Sequence, residues 1–450
     1  MFSIREIAAR LGATLLRERA GSPVCVVHDS RRVSPGDLFV ALRGARTDGH
    51  RHLSEVFARG ACGAVVAEVE DLPDRARNLI VVRDPSTALY DLAAAWRNRL
   101  TDARFVGITG TCGKTTTKGL IAHLLEDAGG IYAAPASFNT EIGLPLALLN
   151  MPEAARVGVF EIGASAPGEV APLAVLIRPD VAVITMAGRG HLSGFGSVDA
   201  VAAEKWDLIR ALSEDGRGFV NADCETLSPF LSGEDRPVTT FGMLRGSMRG
   251  RVVAMGRETT IEVATPALRL RTRLLGRHNA TNVLAASAVG VYLGTTRETI
   301  ERRMPTYAPP PHRLRLLPAP FGFVLDDSFN ANPDSALAAL ETLAALDLPV
   351  GRRAFVFGDM FELGAAAAAA HREVLAHALR LGVAPVFTTG LLATEAGAQF
   401  PEIAVTLGAD PATEIRSGLG EDQSLLLVKG SRRLGLDRLV DALTRSGNTS

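Results

Sequence analysis

The segment FVGITGTCGKTTTKGLIAHLLEDA, residues 105–128, decides the fold of this chain. It opens with an apolar run that ends in glycine, as a buried strand entering a tight turn does. A helix is expected to follow from Lys114. In such a strand–turn–helix unit, the N–H groups of the turn and the positive end of the helix can surround a polyphosphate. The segment therefore predicts a nucleotide-binding domain of the α/β class.

The turn TGTCGKTTT, at 109–117, contains the candidate phosphate ligands. Lys114 supplies a full positive charge to the β- and γ-phosphates, and the hydroxyl of Thr115 is placed to bind Mg²⁺. The spacing differs from the common G-x-x-x-x-G-K-[ST] pattern, because the two glycines stand only three residues apart. A chance Gly-Lys-Thr turn is the alternative, which the flanking strand and helix disfavour. We expect ATP contacts from Gly110, Thr111, Cys112, Gly113, Lys114, Thr115 and Thr116.

The composition is that of an ordinary globular chain with more than one domain. Its 450 residues exceed what one core usually serves, and 47% are hydrophobic. The net charge of -1 gives no indication of a nucleic-acid partner. The apolar runs are shorter than the ~20 residues of a spanning helix, so no stable membrane insertion is expected. Cys25, Cys62, Cys112 and Cys224 are widely spaced without a signal peptide, which predicts reduced thiols in a cytoplasmic protein.

Strands and helices alternate on both sides of the opening segment, which predicts an α/β chain of three domains. Residues 1–83 contain short apolar runs between turns and are interpreted as a small N-terminal α/β domain. Residues 84–310 form the central domain, with a mostly parallel sheet of the P-loop type. Residues 311–450 repeat the alternation and predict a Rossmann-like, doubly wound sheet.

Three smaller features refine this division. Prolines 309–311 cannot continue a helix and favour an extended, semi-rigid linker before the last domain. Polar and apolar residues alternate at 251–275, which predicts antiparallel strands, and a helix is expected from about residue 279 to 292. The alanine run 365–370 is interpreted as an exposed helix start.

Two polar residues outside the turn are further candidates for catalysis. Glu161 ends the apolar run RVGVFEIG, next to where the turn should lie, as an acidic metal ligand would. A carboxylate that only caps the following turn is the alternative. His191 lies in AGRGHLSGFGS, a segment too rich in glycine to belong to the core. An ordinary loop histidine remains open at this point.

Further segments, in order along nearly the whole chain, resemble motifs of the Mur ligase family. The shortened loop G-T-x-G-K-T-T is the first of them. Others are HDSRRVSPGDLFVALRGARTDGH (28–50), FNTEIGLP (138–145), EIGASAPGEV (161–170) and GRHNATNVLAA (276–286). Within the family, three stretches are similar to the branch that adds a dipeptide, namely DDSFNANPDSALAAL (326–340), VFGDMFELG (356–364) and LVKGSR (427–432).

This resemblance implies a monomeric, ATP-dependent ligase that acts in peptidoglycan precursor synthesis. Such an enzyme joins D-alanyl-D-alanine to UDP-N-acetylmuramoyl-tripeptide through an acyl phosphate, with Mg²⁺ as the metal. It also implies roles for two catalytic residues besides Lys114 and Glu161. His191 would bind a second magnesium ion, and Lys205 would be carbamylated and act as a metal ligand. For Lys205, a solvent-facing helix lysine is the alternative.

The resemblance further implies which residues contact the substrates. Beyond the turn, the ATP-binding residues would be His278 and Asn279 at the adenine, with Arg313, Asp327 and Asn330 in the last domain. Simple caps and linker charges are the alternative for this set. The residues expected to bind the UDP-linked peptide or the acceptor are Ser30, Arg31, Arg43, Asp48, Gly49, His50, Ser137, Asn139, Ser165, Phe329, Lys429 and Ser431.

Several positions depart from the family pattern. Ser137, Thr140 and Ser165 stand where asparagine is typical, and His312 replaces the glycine of a Gly-Arg pair. Two alternatives therefore stay open beside the dipeptide ligase. One is a diverged ligase of the same type that joins another amine to another carboxylate. The other is a nucleotide-binding protein without catalytic activity, which the presence of the candidate metal ligands disfavours.

Overall fold

The computed structural model describes residues 1–44, 47–67, 73–135, 137–420 and 423–445. These residues form three β-sheets with flanking helices, in the order expected from the sequence. The predicted α/β class with three sheets is therefore confirmed, while the domain limits at residues 83 and 310 stay predictions. None of the helices in the described ranges combines the length and hydropathy that crossing a lipid bilayer requires.

The N-terminal sheet consists of β1 (Thr14–Leu16), β2 (Val26–Val27), β3 (Leu38–Val40), β4 (Gly63–Val66) and β5 (Leu79–Val81). Its spatial order is β1-β5-β4-β3-β2, and only the β1–β5 pair is antiparallel. Two helices accompany it, α1 (Ile4–Arg10) and α2 (Leu53–Ala58). Short 3-10 helices follow β2 and precede α2, at Ser30–Arg32 and Gly49–His52.

The central sheet has nine strands, namely β6 (Arg104–Thr109), β7 (Ile131–Ala133), β8 (Val157–Glu161), β9 (Val181–Ile184), β10 (Arg217–Asn221), β11 (Val238–Gly242), β12 (Met248–Met255), β13 (Thr259–Val263) and β14 (Leu268–Thr272). Their order is β14-β13-β12-β11-β10-β9-β6-β8-β7. The pairs from β7 to β12 are parallel, whereas β12, β13 and β14 are antiparallel. The antiparallel strands predicted at 251–275 are therefore confirmed.

The helices of the central unit are α3 (Pro85–Arg99), α4 (Lys114–Leu125), α5 (Gly143–Leu149), α6 (Val170–Ile177), α7 (Leu192–Phe195), α8 (Val198–Arg210), α9 (Ser228–Ser232), α10 (Arg277–Tyr292) and α11 (Arg297–Arg303). They bury both faces of the sheet, α4 and α10 on one side and α3, α5, α6 and α8 on the other. Strand β6 lies between β8 and β9 and is almost wholly buried, because its apolar residues face both helical layers.

The C-terminal sheet consists of β15 (Arg315–Ala319), β16 (Gly322–Asp326), β17 (Arg352–Gly358), β18 (Val386–Thr389), β19 (Ala404–Thr406) and β20 (Ser424–Lys429), in the order β15-β16-β20-β17-β18-β19. All pairs are parallel except the edge pair β15–β16. Its helices are α12 (Pro333–Ala345), α13 (Ala367–Arg380), α14 (Leu391–Gly397), α15 (Pro411–Leu419) and α16 (Leu436–Thr444). Separate cores on the two faces make it doubly wound.

The central and C-terminal units meet at the loop that follows β9, residues 187–191. Arg189 of this loop donates from Nε to Oδ1 of Asp334, at 2.7 Å, and from Nη1 to Oε2 of Glu373, at 2.6 Å. Its backbone N–H also donates to Asp334, at 2.6 Å. Asp334 begins α12 and Glu373 lies in α13, so one arginine joins two C-terminal helices to the central sheet.

Candidate active site

The turn between β6 and α4 requires both of its glycines. Gly110 has φ +148° and Gly113 has φ +87°. A Cβ atom at Gly110 would lie 2.1 Å from the hydroxyl oxygen of Thr185. One at Gly113 would lie 2.4 Å from Oδ1 of Asn282 in α10. The turn therefore packs its backbone directly against its neighbours, which fixes its shape at the N-terminus of α4.

A cavity of about 440 Å³ lies between this turn and the C-terminal sheet. The central unit contributes the turn and the start of α10, while the C-terminal unit contributes the linker and the loop after β16. The structure thus brings together every predicted ATP-binding residue except Gly110. Those that line the cavity are Thr111, Cys112, Gly113, Lys114, Thr115, Thr116, His278, Asn279, Arg313, Asp327 and Asn330.

A second cavity, of about 670 Å³, opens on the other side of the turn. Its walls include Tyr90, Glu141 and Phe195 together with seven predicted site residues, which are Gly110, Thr111, Lys114, Asn139, Ser165, His191 and Lys205. Both cavities are lined by Thr111, Lys114, Asn139 and His191. Groups bound in the two cavities would consequently meet beside the ammonium of Lys114.

The Lys114 ammonium donates to the carbonyl oxygen of Gly110, at 2.5 Å, within its own turn. Desolvation in the cavity wall lowers the pKa of Lys114, while the charge of Glu161 acts in the opposite direction. This ammonium is poorly solvated by its surroundings. It is therefore prepared to bind a phosphate.

The carboxylate of Glu161 is buried at the end of β8 and binds two groups of α4. Its Oε2 accepts from the hydroxyl of Thr115, at 3.2 Å, and its Oε1 lies 2.9 Å from Nζ of Lys118. Arg313, from the C-terminal unit, also donates to the Thr115 hydroxyl, at 3.2 Å. Both carboxylate oxygens therefore contact α4 beside the turn, and the role of Glu161 as a metal ligand stays a prediction.

These residues fit a magnesium ion. The described residues contain no group of three or more His, Cys, Asp or Glu side chains that could hold a metal by themselves. Mg²⁺ usually takes only one or two protein oxygens and completes its shell with phosphates and water. The hydroxyl of Thr115 and the carboxylate of Glu161 provide such oxygens next to the turn. His191 and Lys205 would contribute from the larger cavity.

Lys205 lies on the inner face of α8 and is 2% exposed. The alternative of a solvent-facing helix lysine is therefore wrong. Its Nζ is 5.5 Å from the centre of the Phe195 ring, and burial lowers the pKa of Lys205 to about 7. The nearby charge of Lys114 acts in the same direction. A considerable fraction of this amine is thus neutral, and therefore nucleophilic, near pH 7.

His278 supplies an unpartnered nitrogen to the smaller cavity. Desolvation lowers its pKa to about 4, so the imidazole is neutral near pH 7. Its shielded Nδ1 has no hydrogen-bond partner among the described residues. Asn279 donates to the carbonyl oxygen of Leu275, at 2.8 Å, and accepts from Asn282, at 3.0 Å. The pair can therefore offer a fixed edge of hydrogen-bonding groups to a nucleotide base.

The predicted acceptor residues near β20 are occupied by contacts inside the C-terminal unit. Nζ of Lys429 lies 2.5 Å from Oδ2 of Asp327 and donates to the carbonyl oxygen of Asn330, at 2.9 Å. The hydroxyl of Ser431 accepts from the backbone N–H of Phe361, at 3.0 Å. The ring of Phe329 stacks 4.1 Å from the guanidinium carbon of Arg313. Their roles toward an acceptor stay predictions.

The residues predicted to bind the UDP end form two turns of the N-terminal unit, outside the walls described for both cavities. In the first, Asp29 binds Arg31, which lowers the pKa of Asp29 to about 2. In the second, Oδ1 of Asp48 lies 2.6 Å from Nδ1 of His50, whose Nε2 accepts from Ala67. The predicted residues in these turns are Ser30, Arg31, Arg43, Asp48, Gly49 and His50.

Two departures from the family pattern coincide with unusual backbone conformations. His312 has φ +60° and Ser137 has φ +67°, where glycine and asparagine are the residues that adopt such values most readily. His312 is held by Asp326, whose Oδ2 lies 2.9 Å from its Nδ1. Ser165 donates its backbone N–H to Glu169, at 2.7 Å, on the wall of the larger cavity.

Lys118 was not predicted from the sequence, although a signal for it exists. The chain has only four lysines among its 48 lysine and arginine residues. Three of them, Lys114, Lys205 and Lys429, line the cavities, and Lys118 binds Glu161 on the cavity wall. A residue type that is rare in this chain and occurs only around the cavities points to a function that arginine cannot replace.

Comparison with known proteins agrees with this arrangement. Three family models match the chain, namely the Mur ligase middle domain at 108–290, the Mur ligase glutamate ligase domain at 312–432 and the Mur ligase family catalytic domain at 24–97. UDP-N-acetylmuramoyl-tripeptide–D-alanyl-D-alanine ligase of Escherichia coli K12 is 32% identical over 447 residues, covering 94% of each chain.

Two solved structures share the fold over nearly the whole length. MurF from Acinetobacter baumannii has a TM-score of 0.89 at 24% identity and covers 99% of both chains. MurF from Thermotoga maritima, solved in complex with ADP, has a TM-score of 0.81 at 25% identity and covers 93% of this chain and 97% of that one. By its sequence, its fold and its family models, this chain belongs to the Mur ligase family.

Proposed function

We propose that this protein is an ATP-dependent ligase that joins D-alanyl-D-alanine to UDP-N-acetylmuramoyl-tripeptide in peptidoglycan precursor synthesis. The observation that carries the proposal is the junction of the two cavities at Lys114 in a chain of this family. ATP occupies the smaller cavity, and the tripeptide carboxylate approaches through the larger one. The relatives at 31–33% identity named for this reaction support the choice of substrates.

The first step activates the carboxylate. A carboxylate oxygen attacks the γ-phosphorus of ATP, the bond to the β,γ-bridging oxygen breaks, and an acyl phosphate and ADP result. Lys114 and the amides of the turn neutralise charge on the transferring phosphoryl group. The metal, held by Thr115 and Glu161, supplies further charge neutralisation when bound.

The second step forms the C–N bond. The neutral amine of D-alanyl-D-alanine attacks the carbonyl carbon of the acyl phosphate, inorganic phosphate leaves, and the nitrogen releases a proton. The ammonium of Lys114 borders both cavities and can hold the departing phosphate. Closure of the C-terminal unit over the turn excludes water, which would otherwise hydrolyse the acyl phosphate.

Lys205 is proposed to act as a carbamate. Its neutral amine attacks CO₂, a C–N bond forms and one proton is released, which converts the neutral amine to an anionic carbamate. The low pKa favours this reaction because it needs the unprotonated amine. An oxygen of the carbamate and the imidazole of His191 would then both bind a second magnesium ion. The protein is proposed to act as a monomer. The reaction, which uses ATP and a nucleotide-linked substrate, is proposed to take place in the cytoplasm.

A phosphate-release assay tests the proposal. The purified protein receives ATP, Mg²⁺ and UDP-N-acetylmuramoyl-tripeptide, with either lysine or meso-diaminopimelate at the third position. D-alanyl-D-alanine is compared with single amino acids as acceptor. We expect phosphate and an equal amount of the dipeptide adduct, identified by mass, only with the dipeptide. Phosphate release with another amine instead would assign the chain to the diverged ligases.

The diverged ligase remains a second candidate function because of particular residues that line the larger cavity. Ser165 and Thr140 line it where the family pattern has asparagine. Both side chains are shorter than asparagine and lack its amide donor, so they alter the hydrogen bonds available to a substrate. If no amine yields phosphate although ATP binds, a nucleotide-binding protein without catalysis is the correct description.

A further inference from the structure

A loop of the C-terminal unit reaches across to His191. This loop, residues 359–363, lies between β17 and the short 3-10 helix Gly364–Ala366. Oε2 of Glu362 lies 2.5 Å from Nδ1 of His191, and the carbonyl oxygen of Glu362 accepts from the backbone N–H of Ser193, at 3.1 Å. The nucleotide turn, the His191 loop and this loop therefore meet at one place.

The rest of the loop is fixed by three separate elements. The buried His371 accepts from the N–H of Met360, at 2.9 Å, and its Nδ1 lies 2.7 Å from the carbonyl oxygen of Ala367. The hydroxyl of Ser431 accepts from Phe361. Asp359 accepts from the N–H of Ala393, at 2.8 Å. With its neighbours held in this way, the backbone of Glu362 is fixed beside the His191 loop, while its side chain is partly exposed.

Both partners of the contact have left-handed backbones. Glu362 has φ +64° and His191 has φ +56°, a conformation that is unfavourable for a non-glycine residue. Such conformations persist where surrounding contacts enforce them and are concentrated at functional sites. The contact brings the two side chains together without the alignment of a full hydrogen bond, and it shields Nδ1 of His191 from solvent.

We propose that Glu362 is a positioning residue for His191. Its carboxylate binds the N–H at Nδ1, which leaves Nε2 as the nitrogen with a free lone pair and fixes the orientation of the ring. A carboxylate behind a metal-binding histidine acts in this way in general. The inference rests on the proposed function, in which His191 binds the second magnesium ion. It adds that this ligand becomes correctly oriented only when the C-terminal unit is docked.

The test compares Glu362→Gln with Glu373→Gln. Glu373 belongs to the same interface and binds Arg189, two residues before His191, but Asp334 still holds Arg189 in its absence. Mn²⁺ binding is measured by electron paramagnetic resonance with a non-hydrolysable ATP analogue present. The Mg²⁺ concentration that gives half-maximal phosphate release is measured in parallel. Glu362→Gln should raise the dissociation constant for Mn²⁺ and the half-maximal Mg²⁺ concentration by about tenfold each, while Glu373→Gln should change neither more than about twofold.

A double mutant shows whether the effect passes through the histidine. In a His191→Ala background, Glu362→Gln should cause no further loss of Mn²⁺ affinity. Equal shifts in the two glutamate variants, or an unchanged Mn²⁺ affinity in Glu362→Gln, would overturn the proposal and leave Glu362 as a contact between domains. The Mn²⁺ titration needs no turnover. Failure of the wild-type protein to release phosphate would instead count against the proposed function.

Discussion

At the scale of single residues, the ammonium of Lys114 is the charge that both cavities share. Lys114→Ala should reduce phosphate release by at least ~10²-fold, because one positive charge on the transferring group is lost. The melting temperature should change little, since the poorly solvated ammonium contributes little to stability. Turnover and thermal unfolding are measured on the same preparation. A variant with near-normal turnover would contradict the role assigned to Lys114.

Lys205 gives a prediction about pH. Because its pKa is lowered to about 7, the neutral amine increases as the pH rises from 6 to 8. Carbamate formation should rise over the same range. The measurement is ¹³C NMR of the protein in ¹³C-labelled bicarbonate, with Lys205→Arg as the control that should lack the carbamate signal. A signal that persists in the arginine variant would assign the carbamate to another amine.

The roles of Lys114 and Lys205 follow from the local sequence to different extents. Lys114 follows from its own neighbours, since a glycine turn before a helix is a local pattern. The burial of Lys205 depends on which face of α8 meets the sheet, and the family resemblance alone singled it out. Lys118 and Glu161 are 43 residues apart, and only the packing of α4 against β8 brings them together. Local patterns contain no such information.

At the scale of elements, the turn between β6 and α4 can be tested through its glycines. Gly113→Ala should weaken binding of an ATP analogue by more than about tenfold, equivalent to ~1.4 kcal/mol, because the new Cβ overlaps Asn282. Gly294→Ala is the matched control. Gly294 has φ +93°, and its Cβ would meet nothing within 4 Å.

Calorimetric titration and thermal unfolding separate the two contributions. Both variants carry the backbone cost of a left-handed conformation, ~1–2 kcal/mol, and should unfold at a lower temperature. Only Gly113→Ala should lose affinity for the nucleotide. If both lost it equally, general destabilisation rather than the shape of the turn would be the cause.

Strands and helices could be predicted where the spacing of apolar residues showed a clear period. The antiparallel strands after residue 248 and helix α10 agree with the sequence pattern. Strand β15 was not predicted, and it contains Pro318, a residue that is unusual within strands. It is tolerated here since β15 is an edge strand, where a missing N–H costs no ladder bond. The alanine run does include the mostly exposed start of α13, as expected.

At the scale of the whole molecule, Arg189 holds the central and C-terminal units together. Arg189→Ala should shift the closed arrangement toward an open one by ~1–2 kcal/mol, since charged hydrogen bonds to two partly exposed carboxylates are lost. Small-angle X-ray scattering should show a larger radius of gyration, and phosphate release should fall severalfold.

Arg251→Ala is the control for this experiment. Arg251 binds Glu262 at 2.9 Å within the antiparallel strands, so its loss removes an exposed ion pair without touching the interface. A radius of gyration that changes equally in both variants would refute the role of Arg189. The docking of the units could not be predicted from the sequence, because it depends on side chains 145 and 184 residues apart.

The distribution of lysine has a practical consequence for chemical labelling. Reagents that acylate primary amines normally modify exposed lysines. This chain has four lysines, of which three are at most 6% exposed and the fourth, Lys114, is half-buried. Such a reagent would therefore act as a probe of the nucleotide turn through Lys114, and ATP should protect against it. Tethering through lysine would inactivate this enzyme, whereas its many surface guanidiniums would remain untouched.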